Sequence, residues 1–119
     1  METNRNIILE LTKQFAISTI EYTEELEKQK KYVISNQLLK SGTSIGANVW
    51  ESQHAESKTD FIHKIKIASK EASETAYWLE LCKTSKSYPS PDNLIKSLLP
   101  IQKILSKIIY TSKNKTAKK

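Results

Sequence analysis

Residues 38–81 read LLKSGTSIGANVWESQHAESKTDFIHKIKIASKEASETAYWLEL, two amphipathic helical patterns joined by the polar segment Gln53-His54-Ala55-Glu56-Ser57. In the first pattern Ile34, Leu38, Ser41, Ile45, Val49 and Ser52 recur at three- and four-residue steps and share a face. Small and polar residues crowd it, with Ser41, Gly42, Thr43, Ser44, Gly46 and Ala47 in nearly continuous order. Gly42 and Gly46 lie beside the apolar face in G-x-x-x-G spacing. A glycine costs a helix roughly 1 kcal/mol against alanine, so the pair predicts close approach of another helix backbone. The segment is too polar for a membrane dimer motif. Ser44, Asn48 and Glu51 stand on a different side at i, i+4 and i+7. That spacing suits a hydrogen-bond network between packed helices, a solvated face or part of a ligand groove, and short polar side chains favour the network.

The second pattern opens at Ser57, an N-cap with Asp60 three residues on, which is a capping box with Asp in place of Glu. Phe61, Ile65, Ala68, Ala72, Thr75, Ala76 and Leu79 form its main face. Ile67, Trp78 and Leu81 form a second stripe interleaved with Glu71 and Glu74, and Leu39 and Trp50 likewise lie off the seam of the preceding helix. Large apolar residues outside the core of adjacent helices predict a subunit interface, carried by Trp50, Ile67, Trp78 and Leu81.

On the N-terminal side a helix is expected from about Asn4 to Glu27, with Ile8, Leu11, Phe15, Ser18, Tyr22 and Leu26 on its apolar face. Leu9, Ala16 and Ile20 make a weaker stripe beside it, and Lys28, Lys30 and Lys31 follow as cations at a helix C-terminus. The helix of the first pattern runs from about Val33 to His54. After Leu81 the break is Ser85-Lys86-Ser87-Tyr88-Pro89-Ser90-Pro91, with Ser90 as N-cap and Pro91 at the first helical position. The last helix continues to about Thr111, with Leu94, Leu98, Ile101, Leu105 and Ile108 inward and a kink expected at Pro100. The fold class is therefore all-α. Four helices joined by short loops form an up-down-up-down antiparallel bundle over residues 1–112. Only two glycines and three prolines in 119 residues leave little room for the turns of an all-β fold.

Charge is unevenly placed. Residues 1–27 hold Glu2, Glu10, Glu21, Glu24, Glu25 and Glu27 against Arg5 and Lys13, a net of −4 in a chain of +6, so the remainder carries +10. Lys113, Lys115, Lys118 and Lys119 sit in a C-terminal segment, 113–119, with no apolar residue larger than Ala117, expected as a disordered basic tail. Such a balance is the electrostatic footprint of a polyanion binder, and charge alone fits equally well a lysine-rich surface that serves solubility. No run reaches membrane-spanning length, and the first residues lack the layout of a secretory signal. A lone Cys82 suits a reducing compartment, so a cytoplasmic location is expected.

Catalytic signatures are scarce. His54 and His63 are nine residues apart and unpaired with cysteine at a metal spacing, and phosphate-loop, nucleophile-elbow and zinc-protease patterns are absent. Neither a cofactor nor a metal is expected. Glu51, Glu71 and Glu74 are the carboxylates a hydrolase would have to cluster, but ion pairing at an interface explains them more simply. The basic stripes are more informative. His63, Lys66, Lys70 and Tyr77 share one face of the third helix, and Lys96, Lys103 and Lys107 one face of the fourth. Lysines beside an aromatic ring suit phosphate contact and base stacking, and a solvated bundle face carries the same pattern.

Ser44-Ile45, Asn48, Glu51, Ser57, Asp60-Phe61, Ala68 and Glu74 resemble the central pattern of the bacterial four-helix-bundle proteins called 23S rRNA intervening-sequence proteins. The chain departs from it at Asn48-Val49-Trp50-Glu51-Ser52, where Asn-Ile-Ala-Glu-Gly is commoner, and at Lys70-Glu71, where Gly-Ser is usual. The resemblance implies a left-handed antiparallel bundle assembling as a homopentamer. It further implies kinship with the accessory variability protein of diversity-generating retroelements, a basic pentameric barrel that binds nucleic acid. The expected function is thus a non-enzymatic homopentamer binding RNA or DNA through Lys66, Lys70, Tyr77, Lys96, Lys103 and Lys107. The alternative is a protein-interaction scaffold that receives a partner peptide or helix in a groove of Ser44, Asn48, Glu51 and Glu74.

Overall fold

A computed structural model describes the backbone of residues 2–117 and the side chains of residues 7–113. Four helices account for nearly all of it: α1 (Glu2–Lys28), α2 (Tyr32–Ser52), α3 (Lys58–Thr84) and α4 (Asp92–Ala117). They pack as a rod of 53 × 23 × 21 Å, in which each helix touches its chain neighbour and α4 returns to α1. Among the described residues the diagonal pairs, α1 with α3 and α2 with α4, make no close backbone approach.

Local chemistry sets the helix ends. α1 stops in a Schellman arrangement, with Lys31 N–H donating to Leu26 O and Lys30 N–H to Glu27 O, both at 2.9 Å. Lys30 takes the left-handed position there, at φ 63°. Ser57 Oγ accepts the Asp60 N–H at 3.0 Å and caps α3, as its sequence position predicts. Asp60 Oδ2 reaches back to Glu56 N–H rather than to Ser57 N–H, so the box closes one residue early. Ser90 Oγ accepts Asp92 N–H, and α4 starts at Asp92, one residue beyond the expected Pro91. Pro100 stays on the exposed side of a helix that runs on through it. No Gly or Pro follows, and α4 continues to Ala117, past the expected end near Thr111 and into the segment assigned to a tail. The side chains of Lys115, Lys118 and Lys119 lie outside the described residues.

Cross-contacts fix the helix directions. Thr12 meets Gly46, Thr19 meets Gly42, and Ser35 Oγ donates to Thr23 O, so α2 numbers fall as α1 numbers rise. Ser41 and Thr75 hydroxyls stand 2.9 Å apart and Lys64 bonds Glu51 at 2.9 Å, which orders α2 against α3 the same way. The Lys83–Asp92 ion pair at 3.9 Å spans the α3–α4 corner.

The core is Phe15, Ile8, Leu26, Leu38, Ile45, Val49, Ile65, Leu79, Leu94, Leu98, Ile101 and Leu105, with Ala68, Ala72 and Cys82 completing it. The inward positions expected on α2, α3 and α4 hold, with Phe61, Ala76 and Ile108 half-buried against the core. On α1 the face is rotated. Ser18 is exposed and Leu11 and Tyr22 are half-buried, while Thr12, Thr19 and Thr23 are fully buried. Each of these threonines donates its hydroxyl to a carbonyl four residues back, at 2.7, 2.8 and 2.9 Å. The hydroxyl is thereby satisfied, and Thr12 and Thr19 pack their side chains against the α2 glycines.

Candidate nucleic-acid and subunit interfaces

The expected phosphate-contacting residues occupy two neighbouring helices. Lys66, Lys70 and Tyr77 are exposed on α3, and Lys96, Lys103 and Lys107 on α4. None of these lysines forms an ion pair among the described residues, whose pairs are Lys64–Glu51 and Lys83–Asp92. With Lys83 paired to Asp92, an antiparallel register puts Lys66 and Lys70 within about one turn of Lys107 and Lys103, and Tyr77 near Lys96. Tyr77 is 57 % exposed and meets Trp78 edge-on, with ring centroids 5.3 Å apart. Sequence reasoning missed two further exposed residues on α4, Leu99 at 54 % and Tyr110 at 68 %. Their eleven-residue separation, three helical turns, was the available signal.

Of the residues expected at a subunit interface, Trp50 is the exposed one, at 66 %. It closes one end of a largely apolar groove of about 660 Å³ between α1 and α2, lined with Leu9, Thr12, Ala16, Ile17, Gly46 and others. Gly46 is part of its floor, since α2 presents no side chain there where Thr12 approaches. Ile17 is exposed on the α1 side of the groove, and Ile20, nearly one turn further along α1, is exposed as well. Leu9 and Ala16 of the weaker stripe line it, so that stripe faces a groove. Ile67, Trp78 and Leu81 are half-buried on α3, and Trp78 packs on the core of its own chain. Its indole N–H donates to Glu74 at 3.1 Å. Trp50 therefore belongs to the α1–α2 groove and is separate from the α3 stripe.

The four polar-groove residues fall into two places. Asn48 Nδ2 donates to Ser44 O at 2.9 Å, so this part closes along α2 alone. Glu51 accepts from Lys64 across the α2–α3 seam, and that hydrogen bond, then the Glu51 charge, raises the Lys64 pKa. Glu74 lies next to Thr75, at the level of Ser41. Ten residues of α3 separate Lys64 from Glu74, about 15 Å of helix, so Glu51 and Glu74 do not converge. Among the described residues no three His, Cys, Asp or Glu side chains are grouped as a metal ion requires. Glu51 and His54 do have the E-x-x-H spacing of carboxylate-bridged metal bundles, but singly, and that architecture uses two such motifs.

The model of the 23S rRNA-intervening sequence protein family matches residues 4–110. The chain belongs to that family. It is also similar to a crystal structure from Bacteroides thetaiotaomicron, described as a protein of unknown function from the S23 ribosomal protein family. Identity to it is 38 %, the TM-score is 0.84, and the match covers 90 % of this chain and 98 % of that one. No match is found among curated proteins.

In this intervening-sequence protein the loops at one end are clipped together. Tyr22 donates its hydroxyl to Pro89 O at 2.6 Å, and the Lys31 ammonium sits 4.8 Å from the Tyr88 ring centre. Burial, then the neighbouring Cys82, pushes the Tyr22 phenol well above its ordinary range. Burial likewise raises Cys82, a buried free thiol. A thiol held in its neutral form is a poor nucleophile, so this cluster is structural. No helix of the described residues is long and apolar enough to cross a membrane.

Proposed function

We propose that this 23S rRNA-intervening sequence protein is a non-enzymatic, cytoplasmic homo-oligomer that binds RNA or DNA mainly through backbone phosphates. One observation carries the nucleic-acid part. Five lysines, Lys66, Lys70, Lys96, Lys103 and Lys107, are exposed on two adjacent helices without acidic partners, and the exposed ring of Tyr77 shares the α3 face of Lys66 and Lys70. Unpaired ammonium groups exchange condensed counterions for contact with phosphates, and a ring among them supplies a stacking surface. Self-association is supported by Trp50 and the α1–α2 groove, since exposed large apolar residues lining a concavity are uncommon on a monomer. Five copies is the stoichiometry that the family resemblance implies, and repetition around a ring would multiply weak lysine contacts into avidity. The separation of Glu51 from Glu74 supports a non-enzymatic role. The scaffold alternative is less favoured, because Asn48 and Glu51 already have partners within the chain.

The test is binding of a fluorescent single-stranded RNA and a duplex DNA at low and moderate salt, by the intact chain and by a chain lacking residues 113–119. Binding that survives removal of residues 113–119 and weakens with salt is the expected result. Absence of binding, or its loss with those residues, would contradict the proposal and favour an interaction scaffold.

A further inference from the structure

The α1–α2 groove and the outer face of α4 complement one another. Along α1, Glu10, Ile17, Glu21 and Glu24 follow at i, i+7, i+11 and i+14, all exposed, and Glu10 and Ile17 line the groove. Along α4, Lys96, Lys103, Lys107 and Tyr110 follow at the same intervals, also all exposed. Each set spans about 21 Å of helix. Apolar residues accompany both, Ile20 and Trp50 on the acidic side and Leu99 on the basic side. Lys13 is the basic residue among those lining the groove. None of Glu21, Glu24, Lys96, Lys103 or Lys107 has an ion-pair partner among the described residues. Within one chain the α4 face points outward, away from the groove of its own α1 and α2. The two surfaces can therefore meet only between copies.

We propose that the groove between α1 and α2 receives the outer face of α4 from a second copy of this chain, Leu99 packing toward Ile17 and Ile20 while Lys103 and Lys107 meet Glu21 and Glu24. The proposal rests on the self-association reading and deepens it. The two surfaces differ, so the contact is heterologous and propagates head to tail, which closes a ring when the rotation per copy allows. Lys103 and Lys107 are thereby drawn into the subunit contact, which narrows the five-lysine phosphate surface of the assembled protein to Lys66, Lys70 and Lys96 with Tyr77. Charge complementarity favours this occupant over the half-buried Ile67, Trp78 and Leu81 stripe, which lies among Glu71 and Glu74 and would bring acids against acids.

Sedimentation velocity of the full chain at micromolar concentration tests it, with charge reversals on either side and on both. Lys103→Glu with Lys107→Glu, and separately Glu21→Lys with Glu24→Lys, should each weaken association by about ten-fold or more. The chain carrying all four changes should recover it, because complementarity is restored with reversed sign. Lys66→Glu with Lys70→Glu should leave sedimentation unchanged and weaken RNA binding. All these positions are exposed, and circular dichroism melts identify any variant that fails to fold; for such a variant the matching Gln substitutions take its place. A wild-type chain that is monomeric throughout overturns both this inference and the self-association reading. A wild-type assembly that is indifferent to the reversals, or that the four-fold variant does not restore, overturns this inference alone.

Discussion

Thr19 and Gly42 show how single residues set the spacing of α1 and α2. A Cβ on Gly42 would stand 2.8 Å from Thr19 Cγ2. Thr19 is fully buried, and its hydroxyl is tied to Phe15 O, so it cannot turn aside without losing that bond. Gly42→Ala gains roughly 1 kcal/mol in helix propensity, but overpacking here costs about 1–3 kcal/mol. Net destabilisation of up to about 2 kcal/mol is expected in urea unfolding; a stabilising result would mean that the interface yields. Lys30 is the opposite case. A side chain at φ 63° costs roughly 1–2 kcal/mol where glycine costs little. Lys30→Gly should raise the melting temperature by a few degrees. An unchanged or lower value would show that Lys30 is held by contacts beyond its backbone position. The G-x-x-x-G spacing made the close approach legible in the sequence. The partner was not legible, because Thr12, Thr19 and Thr23 read as polar, and their hydroxyls become compatible with a core only after bonding back along the helix.

At the scale of elements, periodicity placed all four helices, and capping chemistry placed the start of α3 at Ser57. Helix ends marked by weaker signals shifted: α2 stops at Ser52, short of His54, and α4 runs to Ala117 because nothing after Pro100 breaks it. Contacts between elements of distant sequence were not legible at all. Tyr22 to Pro89 spans 67 positions and clips α1 to the loop before α4, while Cys82 packs beside the phenol. Burial raises the pKa of both groups, so the folded chain holds protons that the unfolded chain releases first. Stability from this cluster is fully present below the ordinary thiol value and falls as pH rises beyond it. Denaturant midpoints should hold steady between about pH 6 and 8 and decline above about pH 9. In Cys82→Ala the decline should begin nearer the tyrosine range, about pH 10. A midpoint that rises above pH 9 would contradict the assignment.

Over the whole molecule, charge and exposed apolar surface divide by helix. α1 is acidic beside an apolar groove, whereas α4 is basic around Leu99 and Tyr110 and α3 gathers Lys66 and Lys70 on the face of Tyr77. The net charge and the lysine stripes were legible from sequence because exposed faces of a helix follow its period. The α1–α2 groove was not, since it depends on how residues of one helix, Thr12 and Ile17 among them, meet Gly46 and Trp50 of another. Trp50 was expected at an interface and does lie exposed, but the company expected for it on α3 lies elsewhere.

Lysines of the folded bundle that bind nucleic acid through phosphates make RNA affinity depend on salt. Fluorescence anisotropy of a labelled single strand would be followed from about 50 to 200 mM salt for the wild type and for Lys66→Gln with Lys70→Gln. The account predicts a straight fall of log affinity with log salt, with the slope of the variant shallower by about 0.7 for each lysine removed. A slope unchanged by the substitutions, or affinity indifferent to salt, would contradict it.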